Sequence, residues 1–86
     1  MKANDENYVS IFYTNLGETC RSQADYSTAL NYFLKALKID ESKKDNERLV
    51  SDYFTLTLLF GNLDEVVQQK KYLYQALNLS KKINKK

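Results

Sequence analysis

The chain has 86 residues, with 13 lysines and arginines against 11 aspartates and glutamates, no histidine, no proline and one cysteine. Lacking histidine, it lacks the commonest general base and zinc ligand, and the lone Cys20 has no partner for an internal disulfide, which points to a reducing, cytoplasmic setting. A composition of 43% hydrophobic and 28% charged residues argues against wholesale disorder, although a chain of this size buries only a thin core.

Two glycines and no proline leave long uninterrupted segments, which favour helices over a strand-and-turn fold. Polar, acidic residues at 1–6 carry no signal-peptide pattern. Residues 5–21 place Tyr8, Val9, Phe12, Tyr13, Leu16 and Cys20 at spacings of three and four, predicting a first helix with that stripe buried. Asp25 is placed to cap a second helix, along which Tyr26, Ala29, Leu30, Phe33, Ala36 and Leu37 keep the amphipathic period. The charged run at 40–46 has no apolar anchor and is expected to connect two halves.

A third helix is expected over 47–60, where Leu49, Val50, Tyr53, Phe54, Leu56, Leu58, Leu59 and Phe60 exceed a single stripe. Gly61 and Asn62 tolerate left-handed backbone and are expected to end it. The run at 56–60, interrupted by Thr57, is far below the roughly 20 apolar residues that span a bilayer, so no membrane segment is expected. A fourth helix runs from Asp64 to about Ile83, with Val66, Val67, Tyr72, Leu73, Ala76, Leu77 and Leu79. Lys81, Lys82, Lys85 and Lys86 lie in the last six positions, and 84–86 are expected to form a basic tail.

Shifting the chain by forty positions aligns Tyr13 with Tyr53, Leu16 with Leu56, Tyr32 with Tyr72, Ala36 with Ala76 and Leu37 with Leu77. Self-similar helix-turn-helix units are the mark of a solenoid. On Tyr13, Leu16-Gly17, Ala29, Phe33 and Ala36-Leu37, residues 10–43 resemble a tetratricopeptide repeat. The resemblance implies an all-α fold of antiparallel helix-turn-helix repeats, stacked as a short right-handed solenoid of four helices. It implies a single domain over 1–86, with repeat one at about 5–43 and repeat two at about 44–83. Gly17 and Ala29 are expected to let the first two helices approach closely. The chain departs from the family at Cys20, at Glu41 in place of the closing proline, and in its period of forty. In the second unit Thr57 and Gln69 replace the small pair, which predicts a wider hairpin or another register.

No arrangement suited to catalysis, cofactor binding or metal binding emerges. Cys20 lies within an apolar stripe with no base beside it. The pairs Asp5-Glu6, Asp40-Glu41 and Asp64-Glu65 sit near expected helix ends, where the helix dipole or solvent accounts for them. Neither glycine belongs to a phosphate-cradling loop. The expectation is a non-enzyme.

What remains is surface. The resemblance implies that the first helix of each unit lines a groove for a protein or peptide. Thr14, Glu18 and Arg21 of the first helix and Ser51, Phe54 and Leu58 of the third are the groove candidates. They do not match the lysine and asparagine clamp that related repeats use for acidic chaperone tails, so a largely apolar groove is expected. Tyr74, Leu77 and Ile83 on the last helix are expected to meet a second copy in a homodimer, a partner, or a further repeat. A peptide-sensing regulatory fragment is the alternative. Nucleic-acid binding through Lys70, Lys71 and the terminal lysines beside Tyr72 and Tyr74 is less favoured.

Overall fold

Each turn of the chain lies twenty residues from the next. In the computed structural model, which describes residues 2–84 with side chains from Tyr8 onward, the helices are α1 (Lys2–Ser22), α2 (Tyr26–Lys43), α3 (Asn46–Asn62) and α4 (Val66–Asn84). No strand occurs among the described residues. The basic tail expected at 84–86 falls, at Lys85 and Lys86, outside them.

The three turns share one construction. Ala24, Lys44 and Asp64 adopt left-handed backbone, with φ of 62°, 55° and 63°. Each donates its N–H three residues back, to Arg21, Glu41 and Gly61, and the next residue donates five back, to Cys20, Asp40 and Phe60. This pairing satisfies carbonyls that a helix end otherwise leaves bare. The residue that closes one helix opens the next: Asp25 and Asp45 also accept from the N–H groups of Thr28 and Arg48, as N-cap carboxylates do.

Two expectations about boundaries are corrected here. The run at 40–46 is not all connection, because α2 continues to Lys43 and Asp40 is fully buried. Gly61 and Asn62 are helical, and the left-handed residue is Asp64, so α3 ends by the same device as α1 and α2.

Successive helices pack antiparallel, α1 on α2 and α3 on α4 most extensively and α2 on α3 less so. The result is a slab measuring 36 × 30 × 16 Å. Its core joins Ala29, Phe33 and Leu37 of α2 to Leu49, Leu56 and Leu59 of α3. Leu56 and Leu59 are completely covered, and such burial stabilises by about 1.5–3 kcal/mol per side chain.

The forty-residue register is physical. Tyr13 stacks on Tyr32 at 6.0 Å between ring centroids, and Tyr53 on Tyr72 at 6.1 Å. Ala36 and Ala76 are both buried. The second hairpin therefore keeps the register despite Thr57 and Gln69. Its space comes from elsewhere, since a Cβ on Gly61 would meet the Gln69 amide at 2.7 Å. In the first hairpin the corresponding pair is Arg21 and Ala29, so the small member has changed helices. Gly17 likewise admits a neighbour's bulk: its missing side chain is replaced by the Phe33 ring.

The stripe expected to be buried on α1 is also corrected. Tyr8, Val9 and Phe12 are exposed, whereas Ser10 and Gly17 are buried. Small or polar residues face α2 because Phe33 and Asp40 of α2 fill that side, leaving the larger apolar residues on the outer arc.

Candidate interaction surface

On α3, Tyr53 and Phe60 stack against Tyr72 of α4, while Arg48 bonds Thr14 and Asn62 bonds Arg21, both of α1. Leu49, Leu56 and Leu59 belong to the core shared with α2. At 100° per residue, these contacts leave one arc free, carrying Ser51, Phe54 and Leu58, all exposed. Phe54 and Leu58 lie one turn apart and present adjoining apolar surface, with 41% and 55% of each accessible.

The three candidates on α1 lie along the seam with α3 and are tied into it. Thr14 donates to the Ser10 carbonyl and accepts from Arg48 Nη2 at 3.2 Å. Glu18 and Arg21 form an ion pair at 2.9 Å, and Arg21 Nη1 donates to Asn62 Oδ1 at 3.1 Å. A polar edge with paired charges thus borders the apolar arc of α3. On α4, Tyr74 and Leu77 are exposed three residues apart. Ile83, half-buried, lies on the opposite side of the helix from Tyr74 by its spacing of nine, so the structure does not group the three.

Behind the seam is a buried polar cluster that residue-by-residue reading missed. Ser10 Oγ donates to Asp40 Oδ1 at 2.8 Å. Arg48 Nε lies 3.6 Å from Asp40 Oδ2, and its Nη2 lies 3.8 Å from Asp52 Oδ1. Asp52 is pushed up to about 8, chiefly by burial, then by its hydrogen bond with Asp40 and the Asp40 charge, against the opposing pull of Arg48. Two buried carboxyl groups thus share one arginine, and burial favours the neutral form of Asp52. Tyr53 is also raised, by burial first and then by the Glu41 charge.

A shallow pocket against Tyr13 is lined by Lys35, Lys38, Ile39 and Ser42, and another lies against Tyr53 with every lining residue forty positions later. Among the described residues, no group of three or more cysteines and carboxylates is placed to hold a metal ion. None of the described helices is long and apolar enough to cross a membrane. Cys20 is half-buried and packs against the core.

Residues 11–43 match the family model of the tetratricopeptide repeat. No curated protein and no solved structure matches the chain. Such repeats generally mediate protein–protein contact and are typically not enzymes. With that match over α1 and α2, residues 11–43 are a tetratricopeptide repeat, and the described residues form an all-helical arrangement of two hairpins in the same register.

Proposed function

We propose that this chain is a protein- or peptide-binding module whose ligand lies along α3, on Ser51, Phe54 and Leu58, with Thr14, Glu18 and Arg21 as the polar edge. One observation carries the reading. Phe54 and Leu58 are the exposed large apolar pair on the arc of α3 left free by α1, α2 and α4. An apolar pair flanked by neutralised charge suits a ligand that offers apolar anchors, such as an amphipathic helix. The half-buried thiol of Cys20 fits a reducing, cytoplasmic location. The module is one domain of two repeats, about 5–43 and about 44–83.

The test is a binding selection from a peptide library against the wild-type chain, followed by titration of the selected peptide against Leu58→Glu. Leu58 is more than half exposed, so the variant is expected to keep its helicity and lose binding at least tenfold. Equal affinity for both chains would overturn the reading.

A further inference from the structure

We propose that a second copy of this chain docks its α1 on the first copy's α4, in the register by which α3 docks on α2 within one chain. The proposal uses the outer faces of α1 and α4 and meets the ligand surface only at Phe54, so it is tested separately from ligand binding through Leu58. Its basis is the forty-residue register fixed by the stacked tyrosine pairs and the identically built turns. Moved forty positions back, Leu49 and Leu56 of the internal junction become Val9 and Leu16. Moved forty on, Phe33 and Leu37 become Leu73 and Leu77. Val9 and Leu77 are both exposed. Ala29, Leu30 and Leu59 of the same junction become Gln69, Lys70 and Thr19, so the outer faces repeat its centre in apolar form and its margins in polar form.

The replacements on the two faces match one another. Inside the chain, Asp40 of α2 is buried beside Arg48 and Asp52 of α3. The corresponding positions are Ser80 on α4 and Tyr8 and Phe12 on α1. The charges of that cluster are lost from both faces together, so a junction between copies buries no carboxylate in need of a cation, and Lys70, at the position of Leu30, lies exposed at its margin. The bond from Arg48 to Thr14 is matched by Tyr8 of one copy beside Phe54 of the other, aromatic against aromatic. Tyr8 and Phe12 are 72% and 58% exposed, a large apolar area for a free surface.

Such contact is head-to-tail, and each added copy leaves both kinds of face open. Sedimentation velocity of the wild-type chain from ten to several hundred micromolar should therefore show a mass that keeps rising past two copies. Phe12→Glu blocks only the α1 face and Leu77→Glu only the α4 face; each should sediment as a monomer. Their equimolar mixture should restore a 1:1 dimer that grows no further. Val9→Lys and Val66→Glu, the latter at the position of the core-packed Tyr26, serve as a second pair if circular dichroism shows either first variant misfolded. Leu58→Glu should self-associate like wild type while losing its selected peptide, which separates this proposal from the preceding one. A wild-type monomer throughout the range, a variant that still dimerises alone, or a mixture that stays monomeric overturns it.

Discussion

The Phe33 ring occupies the place that a side chain on residue 17 would take: a Cβ built on Gly17 lies 2.6 Å from Phe33 Cδ1 and 3.0 Å from Cζ. Phe33 is itself 3% exposed and part of the core shared with α3, so the ring has nowhere to retreat. Gly17→Ala gains about 1 kcal/mol of helix propensity but overpacks the site, at a typical cost of 1–3 kcal/mol. We expect a net loss of about 1 kcal/mol, or roughly 4–8 °C in Tm for a domain of this size.

Gly61→Ala provides the contrast. Its Cβ would meet the amide end of Gln69, a flexible side chain able to swing away. The propensity gain is then uncancelled, and Tm should rise by a few degrees. Thermal melts of both variants check the pair, and equal effects would show that the two glycines play one role.

Much of this was legible in the sequence because it is local. Asp25 announced its cap, the apolar period of α2 its buried face, and the surplus of apolar residues on α3 its free arc at Phe54 and Leu58. The misses were all non-local. Asp40 reads as loop until Ser10 and Arg48, thirty and eight positions away, supply its partners. Gly61 reads as a terminator until Gln69 arrives to fill its space. On α1 the apolar stripe misled because burial goes to Ser10 and Gly17, the residues that accommodate what α2 brings. The forty-residue offset was the signal that could have found the matching pockets at Tyr13 and Tyr53.

The turns carry avoidable strain. Left-handed backbone costs a residue with a Cβ roughly 1–2 kcal/mol, and Ala24 and Lys44 adopt it while exposed. Glycine removes that cost but adds unfolded-state entropy. Ala24→Gly and Lys44→Gly should each stabilise by about 0.5 kcal/mol, and the double variant by about the sum, since the sites lie at separate turns. Asp64→Gly should gain less, because aspartate tolerates this conformation better. Denaturant melts with unchanged slope and shifted midpoints are the expected signature.

Arg48 is the cation of the buried cluster, reaching Asp40, Asp52 and Thr14 from α3. Arg48→Ala leaves Asp40 buried without a cation, the kind of change that costs about 3–5 kcal/mol. Such a loss would be a large part of the stability of so small a domain. Arg48→Ala with Asp40→Asn should recover much of it, because the amide keeps shape and removes the charge. A double variant no more stable than Arg48→Ala would show that the arginine acts through packing alone.

The same cluster makes stability fall as pH rises. Asp52 is held at about 8 in the folded chain, against 3.8 as its ordinary value. Between those values the unfolded chain has released the proton and the folded chain has kept it. The folded state thus binds more protons, and unfolding free energy declines with pH. The slope from this one group approaches about 1.4 kcal/mol per pH unit at most, vanishing below pH 3.8 and above about 8. Acid titration of the other carboxylates overlaps the lower part of this window, so the cleanest reading lies between pH 6 and 9. Asp52→Asn keeps a donor toward Asp40 and removes the titration. Denaturant melts across that range should show wild type weakening toward pH 8 and levelling off, with the variant flat and more stable at pH 9. A wild-type profile as flat as the variant's would mean that Asp52 is already ionised at neutral pH, with Arg48 shared between two anions.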